Sequence, residues 1–173
     1  VRYGDRVLTE PTKEIREIND EIRQIIEHMY EVLHDAKGVG LAANQIGLSL
    51  KLFVYDVGEG PHAFINPKLI KKTGSQIAIE GCLSIPGLQG EVDRAEAATV
   101  EGLDETGEKV KITGEGLLAR VFQHETDHLN GTLFIDRADP DSLHWVIPGE
   151  ERRAMRCPVI ARMPFSHKRS IWH

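Results

Sequence analysis

Thirteen consecutive residues decide the architecture: Leu117-Leu118-Ala119-Arg120-Val121-Phe122-Gln123-His124-Glu125-Thr126-Asp127-His128-Leu129. Leu117, Leu118, Val121, Phe122 and Leu129 recur at helical spacing, which predicts a helix with one apolar side. Thr113 is the candidate N-cap. A helix this apolar needs cover, and the preceding segment offers it. From Leu50 to Ile112, short apolar runs at Leu52–Tyr55, Ala63–Ile65, Ile77–Ile79, Thr99–Val100 and Val110–Ile112 alternate with turns bearing Gly and Pro. Asp104-Glu105-Thr106-Gly107 reads as a hairpin turn. The expected fold is α+β: small, mostly antiparallel β-sheets packed around a central helix.

An amphipathic helix is expected nearer the N-terminus. Asn19 is its candidate N-cap, with Asp20 and Glu21 in the first turn, where the helix dipole favours acids. Ile22, Ile25, Ile26, Met29, Val32 and Leu33 follow at helical spacing, and Gly38 is placed to end it. After Asp136 the pattern breaks at Pro140, Pro148, Pro158 and Pro164, leaving Glu150–Met155 as a candidate short helix. At 173 residues, with 40% hydrophobic and 28% charged content, the chain suits one globular domain rather than a disordered or fibrous class. No apolar stretch reaches the roughly 18 residues a membrane helix needs. Val1-Arg2-Tyr3-Gly4-Asp5 has no apolar signal-peptide core. Two cysteines, Cys82 and Cys157, are too few for a secreted disulfide scaffold.

The central helix also carries chemistry. His124-Glu125-Thr126-Asp127-His128 is an HExxH, and histidines at i and i+4 share a helix face, so both can reach one metal. Glu125, about 100° around the helix, stands where it could take a proton from a water on that metal. A catalytic site of this type needs a third protein ligand. The HExxHxxGxxH extension fails, because Phe134 stands at its last position. A downstream glutamate could be only Glu150 or Glu151, beside the competing Arg152 and Arg153. Cys82, in Glu80-Gly81-Cys82-Leu83-Ser84 at the end of an apolar strand, is a third option. A third segment, Gly38-Val39-Gly40-Leu41-Ala42-Ala43-Asn44-Gln45, superficially matches a dinucleotide fingerprint. That motif needs a strand before it and a helix after it, whereas here a helix precedes it. Its small residues suit an extended loop that lets a ligand backbone approach closely.

These segments resemble the three signature motifs of the peptide deformylases: a GxGxAAxQ loop at Gly38–Gln45, an EGCxS turn at Glu80–Ser84 and a QHExDH helix at Gln123–His128, in that order. Flanking stretches agree across about residues 2–137. The resemblance implies a hydrolase that removes the N-formyl group from the formylmethionine of nascent polypeptides and releases formate. It assigns Cys82, His124 and His128 as ligands of one divalent ion, Fe²⁺ foremost, with Zn²⁺, Ni²⁺ or Co²⁺ also able to occupy the site. Glu125 becomes the general acid/base through which metal-bound water attacks the formyl carbon. The Gln45 side chain and the Leu83 backbone N–H become the oxyanion donors. Val39 and Gly40 are expected to pair with the substrate backbone. Leu117 and Val121 are expected to wall the methionine pocket, and a Glu80–Arg94 ion pair to brace the cysteine turn. A zincin-type endopeptidase using Glu150 or Glu151, and a non-catalytic metal-binding module, remain the competing classes.

The net charge of −6 is unevenly spread. Residues 152–173 hold six bases and no acid, leaving the remainder at −12. Two parts are therefore expected: a catalytic domain over 1–151 and a basic tail over 152–173. The acidic body argues against DNA as a partner, while the tail suits the ribosome through phosphate contacts. The expected location is a bacterial-type cytoplasm, with organellar and phage origins left open.

Overall fold

The structure is a computed structural model and describes residues 1–146 together with a short strand at Met155–Arg156. Helix α1 (Asp20–Asp35) is followed by β1 (Gly40–Ala42), β2 (Leu52–Tyr55), β3 (His62–Thr73), β4 (Gln76–Cys82), β5 (Ile85–Arg94), β6 (Ala97–Leu103) and β7 (Lys109–Glu115). Then come helix α2 (Gly116–Leu129) and the two-residue strands β8 (His144–Trp145) and β9 (Met155–Arg156). One sheet has the order β1-β2-β3-β6-β7 and the other β4-β5-β8-β9. Every strand pair is antiparallel. This is the expected α+β arrangement with the HExxH helix at its centre.

Helix α1 starts where its cap places it: the Asn19 side chain accepts a hydrogen bond from the Ile22 amide at 3.0 Å. It buries Ile22, Ile26, Met29 and Leu33 against β1 and β2. It ends near Gly38, but another residue makes the left-handed turn. The residue in the left-handed region is Lys37 (φ 52°), not Gly38, and the Gly38 amide bonds back to the Leu33 carbonyl at 3.1 Å.

Helix α2 also begins later than expected. Thr113 does not cap it, because β7 stays paired with β6 as far as Glu115 opposite Ala97. The Thr113 hydroxyl bonds to that of Thr99 across the strands at 2.8 Å. Ladder hydrogen bonds and a cross-strand hydroxyl pair satisfy Thr113 better than a cap would. The left-handed Gly116 (φ 54°) then turns the chain into the helix.

Helix α2 is buried along most of its length. Its Val121, Phe122 and Leu129 join Phe53, Tyr55, Phe64 and Val100 of the larger sheet in one apolar cluster. Phe122 meets Tyr55 and Phe64 edge-on, with ring centroids 5.2 and 5.6 Å away. Edge-to-face geometry of this kind adds about 0.5–1.5 kcal/mol per pair beyond area burial. A second cluster, including Leu8, Ile85, Leu88, Val92, Leu133 and Phe134, lies against the smaller sheet. Pinned between the two sheets, α2 can collect side chains from both. The candidate helix at Glu150–Met155 lies outside the described residues, apart from Met155 in β9, and Cys157 lies outside them too.

Phe122 is fully buried, so Phe122→Ala should cost about 3–5 kcal/mol of stability. Denaturant unfolding at fixed pH measures this as a lower midpoint with an unchanged slope.

Candidate active site

Strand β4 presents alternate residues to opposite sides. Glu80 is buried and Cys82 partly buried on the side facing α2, while Ile77 and Ile79 stand 68% and 57% exposed on the other. β4 and β5 are joined by Leu83-Ser84, with Cys82 opposite Ile85. Cys82 therefore sits at a hairpin tip, and the tip reaches the histidine face of α2. The Cys82 Sγ lies 3.2 Å from His128 Nε2, which is itself 3.2 Å from His124 Nε2. One donor atom from each of these three residues lies within 4.8 Å of the others. A tetrahedral ion with one sulfur and two nitrogen ligands separates its donors by roughly 3.4–3.6 Å, so the set suits a divalent metal.

The chemistry of the surroundings fits as well. Glu80 accepts from His124 Nδ1 at 2.9 Å. A carboxylate held by arginines can only accept, so His124 keeps a proton on Nδ1 and turns Nε2 toward the cluster. Burial alone would push His124 down, but hydrogen bonds to Cys82 and Glu80 and nearby negative charge outweigh it and raise its pKa. Burial drives His128 the other way, well below its ordinary value, aided by positive charge on His124 and Arg94. An ion binding here would displace the protons that these groups share.

Glu125 is 3% exposed, and its Oε2 has no hydrogen-bond partner among the described residues. Burial pushes its carboxyl up to about 7. Gly40 of β1 lies against it so closely that a Cβ there would collide with the carboxylate. The need for glycine at position 40 is thus to admit Glu125, a reason the sequence did not reveal.

Gln45 sits in the 3₁₀ turn Ala43–Ile46. Its Oε1 accepts from the Ala42 amide at 2.9 Å, which turns Nε2 toward Cys82 Sγ and Ser84 Oγ, each 3.4 Å away. Asn44 ties the same turn to α2 by donating to the His128 carbonyl at 2.6 Å. A cleft of about 530 Å³ opens over the cluster. Val39, Gly40, Gln45, Cys82, Leu83, Leu117, Val121, His124 and Glu125 all line it. Val39, Leu83 and Leu117 are 41%, 41% and 54% exposed at its rim, and Val121 is buried in its wall. Every site residue expected from sequence except Arg94 and His128 lines this cleft, and those two lie directly behind it. Glu150 and Glu151 fall outside the described residues.

Behind the cleft lies an ionic network of which only one pair was expected. Arg94 forks onto Glu80, with Nε to Oε1 at 2.9 Å and Nη2 to Oε2 at 3.0 Å. Arg120 Nη1 donates to Glu80 Oε1 at 2.6 Å. Hydrogen bonds from His124 and Arg94 hold the Glu80 carboxyl below its ordinary range despite its burial. Asp127 accepts from Arg94 Nη1 and from Arg137. Arg120 and Asp127 were legible in principle, being charged residues four before and three after His124 on one face of a largely apolar helix.

The amino-acid sequence matches the family model of polypeptide deformylase over residues 1–143. The chain belongs to the polypeptide deformylase family. It is 52% identical over 139 residues to peptide deformylase of Carboxydothermus hydrogenoformans, covering 80% of this chain and 91% of that protein. It is 49% identical over 142 residues to that of Desulfitobacterium hafniense, covering 82% and 95%. Among solved structures, the enzyme of Thermotoga maritima superposes with a TM-score of 0.78 at 44% identity, over 80% of this chain and 95% of that one. The Synechococcus elongatus enzyme, solved with actinonin, gives 0.78 at 46% identity, over 80% and 77%.

Arg94→Ala removes the cation that Glu80 and Asp127 share, leaving Glu80 to Arg120 and His124 and Asp127 to Arg137, so a loss toward the low end of about 3–5 kcal/mol is expected in denaturant unfolding. Because the Glu80 pKa is depressed, its contribution is complete above pH 4.5, its ordinary value, and is lost as pH falls toward the folded value. The acid loss of stability in metal-free protein should be shallower for Arg94→Ala than for the parent.

Proposed function

We propose that this chain removes the N-formyl group from the N-terminal formylmethionine of newly made polypeptides and releases formate. Family membership supports the reaction, and one observation carries the site assignment: Cys82 and His124 in the lining of the cleft converge with His128 just behind it, beside a buried carboxylate whose second oxygen has no partner among the described residues. A divalent ion held by these three residues, Fe²⁺ foremost and Zn²⁺, Ni²⁺ or Co²⁺ acceptable to the same donors, would supply Lewis acidity toward water and the formyl carbonyl.

The protein's own groups do the rest. Glu125 is the general acid/base: it takes a proton from the attacking water on its free oxygen and returns it to the leaving amine. Its burial beside Gly40 keeps bulk water from competing for that proton. Gln45 Nε2, fixed by the Ala42 amide, and the Leu83 backbone N–H at the hairpin tip donate to the oxyanion formed on the formyl oxygen. Preorganised donors of this sort are commonly worth about 3 kcal/mol each. Among the described residues the outer edge of β1 has no strand beside it, so the Val39–Gly40 backbone can take an extended substrate as an added strand. The Val39 carbonyl is already held by the Asp56 amide at 3.1 Å, so pairing falls to the other groups of that edge. Leu117 and Val121 wall the methionine side chain. The narrow floor admits a formyl hydrogen and excludes an acetyl methyl.

The division into a catalytic domain over 1–151 and a basic tail over 152–173 is part of the same reading. The tail's six bases against an acidic body favour docking on ribosomal RNA of the bacterial-type cytoplasm. Deleting residues 152–173 should reduce co-sedimentation with ribosomes, most at low salt, while formate release from a free peptide stays the same.

Anaerobically purified protein loaded with Fe²⁺ should release formate from formyl-Met-Ala-Ser. Glu125→Gln should lower kcat by about 10²–10⁴-fold with metal retained. Cys82→Ala should lose the metal, an outcome a zincin using Glu150 or Glu151 would not show. No formate from the loaded parent overturns the reading.

A further inference from the structure

We propose that Arg137 and Asp127 are positioning residues for this reaction, acting through Arg94 and Glu80 on the imidazole of His124. The inference rests on the reading of His124 as a metal ligand and extends it to a residue at the surface.

Asp127 lies next to His128 in sequence yet takes no part in the three-donor cluster. Its side chain is only 10% exposed, and both oxygens are engaged. Oδ2 accepts from Arg94 Nη1 and Arg137 Nε, and Oδ1 accepts from Arg137 Nη2 at 2.7 Å. Arg94, 3% exposed in its side chain, is gripped at both ends: by Asp127 through Nη1, and by Glu80 through Nε and Nη2. Glu80 Oε2, where Arg94 Nη2 lands, is the atom that meets His124 Nδ1. Four contacts thus lead without a gap from a half-exposed arginine to a proposed metal ligand.

The physical consequence is directional. Among the described residues, Arg137 supplies the only hydrogen bond to Oδ1 of Asp127 and half of those to Oδ2. Without it, a nearly buried carboxylate has one oxygen unsatisfied, which is unfavourable for a charged group. The carboxylate relieves this by rotating, and Arg94 Nη1 is bonded to it. A turn of the Arg94 guanidinium loosens its fork on Glu80 and so the hold on His124. Arg137 itself is 47% exposed in its side chain and is delivered by the short turn Phe134–Asp136, whose Asp136 carboxylate accepts from the Leu133 amide at 2.9 Å. Its truncation removes little buried surface, so the variant should fold.

The test uses the full chain loaded with Co²⁺. In Arg137→Ala, well below the unfolding temperature, Co²⁺ loss to a chelator should speed up about ten-fold, the low end for disturbing a ligand's supporting contacts. The visible Co²⁺ band should shift, and kcat should fall several-fold with KM unchanged. Arg137→Lys, able to restore one of the bonds, should recover part of each effect. Arg137→Ala combined with Asp127→Asn should be no worse than Asp127→Asn alone. A purely structural role predicts a lower unfolding temperature with parental Co²⁺ loss, band and kcat, and that result overturns the proposal. If the parent takes up Co²⁺ but releases no formate, the deformylase reading fails while Co²⁺ loss and the band still decide this one. A parent that takes up no Co²⁺ overturns both.

Discussion

The carboxylate of Glu80 accepts from four nitrogen atoms on three side chains: Arg94 Nε and Nη2, Arg120 Nη1 and His124 Nδ1. The rest of the site hangs from this arrangement. A lone buried carboxylate would cost several kcal/mol, and the surrounding guanidinium groups offset that cost only if each stays in place. Arg94 ends β5, Arg120 and His124 belong to α2, and Glu80 belongs to β4. Satisfying one charge therefore fixes the smaller sheet, the central helix and a proposed metal ligand relative to one another.

Around this anchor, three segments far apart in sequence meet because each has a structural reason to be there. The loop around Gly40 is held to α2 by Asn44, and its missing side chain leaves the space that Glu125 occupies. The hairpin tip brings Cys82 across from the second sheet. Helix α2 carries the two histidines, with its apolar residues committed to the larger sheet and its charged ones to the ionic network. Rotating the helix to improve one of these contacts would break another, so its azimuth is over-determined.

Much of this was legible in the sequence. The HExxH spacing, the apolar periodicity of both helices and the short β-runs depend on local pattern, and local pattern survives folding. The misreadings share a physical origin in long-range pairing. Thr113 has the chemistry of a cap, but its partner Thr99 is fourteen residues away and cannot be seen in a window. β5 hid behind Pro86, Gly87 and Gly90, and it forms because β4 pairs along its length. Gly40 lies in a loop whose small residues read as room for a ligand backbone, whereas the group packed against it is a side chain of the protein itself. Arg137 gave no local signal, since its meaning lies in Asp127, ten residues earlier and across a turn.

The hairpin that carries Cys82 can be regarded as a cantilever. Its root lies in the paired length of β4 and β5, its free end is the Leu83-Ser84 turn, and the thiol rides at that end. Glu80 clamps the beam two residues short of the tip, on the same side as the thiol. A lever clamped so near its end has almost no free length over which to bend. Deflection that would otherwise grow toward the tip has little length over which to develop before it reaches the proposed metal-binding thiol. The buried ion cluster thus works as a mechanical stop as much as an electrostatic one.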